Sequence, residues 1–180
     1  ADPSEPRSMT IRPIVIAPDR RLKSKSAPVA QVDDGVRRLM DDMLETMYDA
    51  PGIGLAAPQI GVLSRVVVMD LGEEDARNPI RMANPRIVKA SEEEAVANEG
   101  CLSLPEIYVD VTRPVAVTAR YLDENGRERE IEAEGLLARC IQHEIDHLDG
   151  VLHVDYLSAL RRKMILRRLD KQRKVDAEAG

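Results

Sequence analysis

Residues 135–150, GLLARCIQHEIDHLDG, form the central segment of this chain. Their apolar side chains recur at helical spacing, which predicts a helix with Gly150 at its C-terminal end. On that helix, His143 and His147 lie one turn apart along the axis and roughly 40° apart around it. Both imidazoles can therefore bind one metal ion, and Glu144 beside them can take a proton from water on that metal.

The spacing alone leaves the third metal ligand open, since catalytic zinc-type sites usually take three protein ligands. One alternative is His153, because residues 143–153 match the pattern of the metzincin endopeptidases, although the chain after it is short for such a protease. A second alternative pairs Cys101 with Cys140 in a structural zinc site of a small RNA- or ribosome-binding protein, but their spacing is not that of a zinc finger. The third is Cys101 alone, since a thiolate is a strong, soft ligand.

Other signals along the chain predict an α+β fold. Apolar spacing predicts a helix over residues 33–49 and a buried strand over residues 65–69. Residues 115–133 predict a β-hairpin that turns at Asn125 and Gly126. Ser158 can cap a third helix. Its expected apolar stripe consists of Leu160, Met164, Ile165 and Leu169. The expected architecture has short antiparallel strands around a central metal-binding helix, with a C-terminal helix.

The composition excludes several classes of protein. The 180 residues suffice for one domain with a sizeable core, and the formal net charge is −6. Phe and Trp are absent, so the core is aliphatic and aromatic platforms for stacking bases are not expected. No apolar run approaches the roughly 20 residues that span a bilayer, so no membrane contact is expected. Two cysteines exclude a disulfide-rich scaffold and fit a reducing cytoplasm.

The two ends of the chain differ from its middle. Residues 1–8 lack the apolar core of a signal peptide, and we expect them to be a tag remnant before a start at Met9. Residues 9–180 are expected to form a single domain that includes a basic C-terminal helix from about residue 158. Residues 158–175 contain eight basic residues and one acidic residue, a net charge of +7, whereas the other residues sum to −13. Such a run is either a solvated helix face or a binding site for phosphate groups.

Three motifs follow one another along the chain: GIGLAAPQ at residues 52–59, EGCLS at residues 99–103 and QHEIDH at residues 142–147. Together they resemble the motifs of the peptide deformylases, most like the bacterial type 1 branch. The similarity extends from about Ile14 to the C-terminal helix. The first motif also fits a dinucleotide-binding fingerprint, but it follows a helix where that fingerprint follows a strand, so no nucleotide cofactor is expected.

The resemblance implies a reaction and the residues that perform it. Peptide deformylases are metal-dependent hydrolases that remove the formyl group from the initiator formyl-methionine of new polypeptides and release formate. They use one divalent metal ion, expected to be Fe²⁺, which Ni²⁺, Co²⁺ or Zn²⁺ can replace. The implied metal ligands are Cys101, His143 and His147. The implied catalytic groups are the Glu144 carboxyl for proton transfer, and the Gln59 amide and Leu102 backbone N–H as donors to the developing oxyanion.

The resemblance also implies a substrate site and partners. The residues implied near the substrate are Ile53, Gly54, Gly100, Leu136, Cys140 and Tyr108. Three positions depart from the family pattern: Arg139 is expected to rim the pocket with a charge, Tyr108 stands where Arg is frequent, and His153 is expected to pack in place of an apolar aromatic residue. The implied partners are N-formylmethionyl nascent peptides and, through the C-terminal helix, ribosomal RNA.

Overall fold

The computed structural model describes residues 10–179 and shows an α+β fold, as the sequence predicts. In chain order its elements are α1 (Asp34–Asp49), β1 (Gly54–Ala56), β2 (Val66–Met69), β3 (Ile80–Ala90), β4 (Glu94–Cys101), β5 (Leu104–Pro114), β6 (Ala116–Leu122), β7 (Glu128–Glu134), α2 (Gly135–Leu148) and α3 (Ala159–Ala179). Short 3₁₀ turns occur at Arg20–Lys23, Ala57–Ile60 and His153–Tyr156. The expectation that residues 1–8 are a tag remnant concerns residues outside the described range.

Helix α1 begins where the sequence predicts. The Asp33 carboxylate accepts a hydrogen bond from the backbone N–H of Val36 at 2.9 Å, which caps the first turn. The buried face includes Met40, Met43 and Met47, all fully buried. These side chains pack against apolar residues of β1 and β2. Flexible thioethers thus fill much of a core that lacks Phe and Trp.

Two antiparallel sheets surround the central helix. The larger has five strands in the order β1–β2–β3–β6–β7, and β4 pairs with β5 in a separate hairpin. The turn predicted at Asn125 and Gly126 joins β6 to β7, and Gly126 has the positive φ of 74° that favours glycine. β3 and β5 each have 11 residues and are longer than the short strands that the sequence predicts.

Helix α2 contacts both sheets and carries the central motif between them. Its N-terminal residue directly follows β7. Apolar residues of α2 pack on the five-stranded sheet; these are Ala138, Ile141, Ile145 and Leu148. Another face of the helix approaches the turn between β4 and β5. Gly150 follows the helix with a φ of 73°, and a Cβ there would lie 2.5 Å from the carbonyl oxygen of Lys23, so glycine is required.

Helix α3 begins after Ser158, whose hydroxyl accepts from the N–H of Arg161 at 3.3 Å, as predicted. Its half-buried apolar residues are Ile165, Leu166 and Leu169. The prediction of one stripe that also contains Leu160 and Met164 is wrong, because these side chains are 70% and 63% exposed. At 100° per residue they lie on the opposite side of the helix. No helix within residues 10–179 has the length and apolar character needed to cross a membrane.

Candidate metal centre

Three side chains with metal-binding atoms meet on one face of α2. His143 and His147 lie on successive turns of the helix, and Cys101 reaches them from the end of β4. The thiol sulfur and the ring nitrogens all lie within 4.8 Å of one another. Cys101 Sγ is 3.4 Å from His147 Nε2. The structure thus brings together the three residues that the resemblance implies as metal ligands.

This donor set suits a divalent transition metal. One thiolate and two neutral imidazoles are typical ligands of zinc-type and related ions, and three protein ligands leave a position open for water. Burial lowers the pKa of His147, so its ring is neutral and can bind through a lone pair. Burial also lowers the pKa of His143, but hydrogen bonds to Cys101 and Glu99 outweigh it and raise the pKa to about 10. The thiol and the carboxylate beside His143 therefore favour a positive charge at this point, which a bound divalent cation would supply in place of a ring proton.

Neither alternative ligand belongs to this group, which is the one such cluster within residues 10–179. His153 Nε2 is instead hydrogen-bonded to the carbonyl oxygen of Ile107 at 3.1 Å. The Cys140 thiol faces the carbonyl oxygen of Ile53 at 3.9 Å. The part of the chain that the structure describes therefore forms neither the three-histidine protease site nor the closed site with two cysteines.

A buried carboxylate, Glu99, orients one of the imidazoles. His143 Nδ1 lies 2.8 Å from Glu99 Oε1, so its proton faces Glu99 and Nε2 is free to face the metal site. The Arg113 guanidinium donates to both oxygens of Glu99, at 2.6 and 2.9 Å, and to Asp146 at 2.9 Å. Burial opposes ionisation of Glu99, but the hydrogen bonds from Arg113 and His143 outweigh it, and its pKa is lowered. Glu99 is therefore a fixed anion behind the metal site.

Glu99 and Arg113 are functional residues that the sequence alone does not predict. Glu99 lies two positions before Cys101 in the EGCLS motif, and this closeness to a predicted metal ligand is the signal that could have indicated it. Arg113 is 14 residues away and has no local signal, because only the pairing of β4 with β5 brings it to Glu99. Both positions therefore required the tertiary structure.

Arg139 lies on the cavity wall, as expected. Its guanidinium is not an unpaired charge, because it donates to Glu99 Oε2 at 2.6 Å. It also donates to the carbonyl oxygens of Val111 and Ala95, each at 2.8 Å. With one carboxylate and two carbonyl partners, Arg139 ties α2 to both strands of the β4–β5 hairpin.

Glu144 lies beside the donor group in a buried position. Its side chain is 4% exposed, and Oε1 is 3.9 Å from His147 Nε2. Burial raises the pKa of Glu144 to about 7, so the carboxyl can take and give a proton near neutral pH. Gly54 leaves the space that this carboxyl occupies, because a Cβ there would lie 2.7 Å from Glu144 Oε2 and 2.9 Å from Cys140 Sγ.

Gln59 is fixed by hydrogen bonds on both ends of its amide. Its Oε1 accepts from the N–H of Ala56 at 2.9 Å, and its Nε2 donates to the Ser103 hydroxyl at 3.1 Å. The same nitrogen lies 3.7 Å from Cys101 Sγ. The amide therefore braces a turn and also presents N–H groups beside the metal site. Leu102, which directly follows Cys101 in the chain, lies in the tight turn between β4 and β5.

A cavity of about 660 Å³ opens in front of these groups. Its wall contains Gln59, Cys101, His143 and Glu144, with Leu102 beside them. Other polar residues on the wall are Asn98, Glu99, Glu106 and Arg139. The wall also contains all six residues implied near the substrate, namely Ile53, Gly54, Gly100, Leu136, Cys140 and Tyr108. Cys140 is buried, whereas the exposed side chains of Ile53, Leu136 and Tyr108 form the mouth. The structure thus places the predicted site residues around one cavity, with His147 buried behind it.

Comparison with known proteins agrees with this geometry. The family model described as Polypeptide deformylase matches residues 11–163. A peptide deformylase from Rhizobium meliloti (strain 1021) is 55% identical over 168 residues, which are 93% of this chain and 97% of that relative. One from Alkalilimnicola ehrlichii is 61% identical over 163 residues, 91% of each chain. A crystal structure of peptide deformylase from Ehrlichia chaffeensis in complex with actinonin aligns with a TM-score of 0.86 and 43% identity, and it covers 91% of this chain and 98% of that chain.

The matched residues include the central helix, the hairpin that carries the thiol, and the whole cavity wall. Sequence, fold and site therefore lead to the same assignment. The chain belongs to the polypeptide deformylase family, the metal-dependent hydrolases that remove the N-formyl group from nascent polypeptides.

Proposed function

We propose that this chain deformylates the initiator formyl-methionine of new polypeptides with Fe²⁺ held by Cys101, His143 and His147. Ni²⁺, Co²⁺ or Zn²⁺ would bind to the same three donors. The observation that carries the proposal is the convergence of one thiol and two imidazoles within 4.8 Å at a peptide-sized cavity. Each of the three side chains is held by a separate structural feature, the β4–β5 turn and two turns of α2.

Glu144 is the proposed proton carrier. When bound, a divalent metal would polarise the formyl carbonyl oxygen and would lower the pKa of water, so that hydroxide is available as a nucleophile near neutral pH. With a pKa raised to about 7 by burial, the Glu144 carboxyl is matched to accept the proton of that water. It can then pass the proton to the amine that leaves when the formyl C–N bond breaks.

Gln59 and Leu102 are the proposed donors to the oxyanion. The Gln59 Nε2 is 3.7 Å from Cys101 Sγ, so an oxygen held at the metal site is within its reach. Because Ala56 and Ser103 fix both ends of the Gln59 amide, this donor needs no reorganisation during the reaction. For Leu102 the proposed donor is the backbone N–H, so the identity of its side chain matters less than its position in the turn.

The narrow space beside Glu144 supports selectivity for a formyl group. A formyl carbon carries only hydrogen beyond its carbonyl oxygen and amide nitrogen, whereas an acetyl group adds a methyl. Gly54 packs closely against this carboxyl, since a Cβ added to Gly54 would lie 2.7 Å from Glu144 Oε2. We propose that the methionine side chain lies along the apolar wall that Ile53, Leu136 and Cys140 form.

Helix α3 is the proposed contact with ribosomal RNA. Its basic side chains project from a helix in which every residue from 171 to 179 is exposed. Phosphate contacts by Lys and Arg would make the binding strongly dependent on salt. Co-sedimentation with ribosomes is expected for the full chain and to be lost on truncation after Asp155. Unchanged co-sedimentation would refute this contact.

The domain boundaries and the cellular compartment of the enzyme are predictions from its sequence. Residues 9–180 are proposed as one catalytic domain. A reducing cytoplasm is the proposed compartment, because a ligand thiol such as Cys101 is oxidised less readily there.

The decisive experiment measures formate release and metal content together. Protein purified without air and loaded with iron or nickel is expected to release formate from a formyl-methionyl peptide. Cys101→Ser is expected to lose metal or activity, whereas Cys140→Ser, the matched control, keeps the metal. Glu144→Gln is expected to keep the metal and lose turnover, because the charge that moves the proton is gone. No formate from the metal-loaded parent protein would refute the proposed function.

Actinonin gives a second test of the same cavity. It is present in the crystal structure of the Ehrlichia chaffeensis relative. We expect actinonin to inhibit formate release by this chain and to raise its unfolding temperature by mass action. Full activity at saturating actinonin would show that the cavity differs from that of the relative.

A further inference from the structure

The pairing between β4 and β5 is interrupted beside the metal centre. In the register of this hairpin, Glu99 pairs with Val109 and Cys101 pairs with Leu104. Residues 105–108 of β5 therefore face a single residue of β4. We call residues 105–108 the β5 bulge. Bulges of this kind leave backbone groups outside the regular ladder, so their position depends on other contacts.

The β5 bulge forms one wall of the cavity mouth. Pro105, Glu106 and Tyr108 line the cavity. The Tyr108 ring lies over Gly100, where an added Cβ would come within 2.8 Å of it. Glu106 has a φ of 63°, a backbone conformation that strains residues other than glycine. A strained segment keeps one conformation only when its surroundings fix it.

His153 supplies a contact to the β5 bulge from the side away from the cavity. Its side chain is 1% exposed, and its Nε2 lies 3.1 Å from the carbonyl oxygen of Ile107. A carbonyl oxygen only accepts, so the His153 Nε2–H is the donor. The Nδ1 of His153 has no hydrogen-bond partner among residues 10–179, as suits a nitrogen without a proton.

The same ring also packs against the metal centre. The His153 and His143 rings meet edge to face, with centroids 5.9 Å apart. His153 thus touches a proposed metal ligand on one side and fixes the β5 bulge through Ile107 on another.

We propose that His153 is a positioning residue that fixes the β5 bulge and thereby sets the affinity for the substrate segment after formyl-methionine. The inference rests on the proposed function, because it takes the cavity as the peptide site. The reacting formyl group would lie deep in the cavity beside Cys101. The rest of the peptide must then leave through the mouth, where Tyr108 is 69% exposed.

Steady-state kinetics with a short and a long substrate tests the proposal. In the proposed orientation, formyl-methionine amide would end before the β5 bulge, whereas a formyl-methionyl tripeptide would extend past it. His153→Phe keeps a ring against His143 but removes the donor to Ile107. Loss of one neutral hydrogen bond should raise the KM for the tripeptide by about 3- to 10-fold. The kcat, the metal content and the KM for the short substrate should stay unchanged.

Two further variants separate positioning from packing. His153→Gln places an N–H donor at a similar reach, so the KM for the tripeptide is expected to return close to the parent value. Val154→Ala, the matched control, trims the fully buried next residue of the same turn and should lower the unfolding temperature without changing either KM. If His153→Phe changed both KM values equally, its role would be purely structural. If it lost the metal, His153 would be a ligand. Either outcome overturns the proposal.

A measurement on the unchanged protein does not depend on whether a variant folds. Nitrogen-15 NMR of the zinc-loaded protein is expected to show a proton on His153 Nε2, the nitrogen that faces the Ile107 carbonyl oxygen. A proton on Nδ1 together with normal formate release would overturn this inference alone. Absent formate release from the metal-loaded parent protein would instead refute the proposed function.

Discussion

Replacing Gly54 by Ala tests how closely the reaction depends on the position of the Glu144 carboxyl. The new Cβ would lie 2.7 Å from Glu144 Oε2 and 2.9 Å from Cys140 Sγ, whereas ordinary contact begins at 3.4 Å. Both neighbours are buried and cannot swing into solvent, so the carboxyl has to shift by roughly 0.7 Å. A misplacement of about 1 Å can cost on the order of 100-fold in rate. That factor corresponds to about 2.7 kcal/mol of lost transition-state stabilisation.

The assay for Gly54→Ala measures kcat/KM for formate release alongside metal content. We expect kcat/KM to fall by about 10- to 100-fold, while the metal remains bound because its three ligands are untouched. Gly35→Ala is the matched control, since it adds the same methyl at an exposed position of α1, 3.3 Å from Asp33 Oδ1. Its activity should equal that of the parent. A Gly54→Ala protein with full metal content and the parent kcat/KM would refute the reasoning.

Three further predictions concern stability. Met43→Ala should lower the free energy of unfolding by about 2–5 kcal/mol in urea denaturation, because it leaves a cavity in the core; a loss under about 1 kcal/mol would contradict tight packing there. Glu99→Gln should lower the free energy of unfolding by up to about 3–5 kcal/mol in calorimetry at neutral pH, since Arg139 and buried Arg113 lose the carboxylate that they share and Arg113 keeps only Asp146. For Asp70, burial raises the pKa, but hydrogen bonds from Tyr48 and two backbone N–H groups outweigh it, and the pKa lies below 3.8. Its charge therefore stabilises the fold above about pH 4, and this stabilisation is lost as the pH falls through the lowered folded value. The difference in free energy of unfolding between the parent and Asp70→Asn should therefore become smaller as the pH is lowered below about 4. A difference that does not change with pH would contradict this role of the Asp70 charge.

Local signals allowed the helices to be predicted from sequence. The apolar spacing of α1 and α2 and the cap at Asp33 all depend on residues within a few positions of one another. The same locality explains why His143 and His147 could be placed on one side of a helix. For α3 the periodicity was ambiguous, because the protein body covers only a narrow strip of this helix. The choice between its two apolar sides therefore depended on tertiary contacts.

Long-range pairing explains most of what the sequence did not reveal. β4 exposes five of its eight residues and shows no clear alternation, so its pairing with β5 had no local signature. The contacts of Glu99 with Arg113 and Arg139 depend on that pairing. Spacing could not identify the third metal ligand either, since Cys101 lies 34 residues before the first residue of α2. The motifs of a known family could indicate it, whereas spacing alone left three alternatives.

The separation of charge between α3 and the rest of the chain gives the molecule a large electrical asymmetry. A helix of 21 residues is about 31 Å long. Its eight basic residues lie between Arg161 and Lys174, and its last turn carries Asp176 and Glu178. The Debye length at physiological salt is about 8 Å, so the acidic body does not neutralise the more distant of these basic side chains. An enzyme with a net charge of −6 is therefore expected to adsorb to a cation exchanger at neutral pH. A polyanion approaching it is attracted or repelled according to the side from which it arrives.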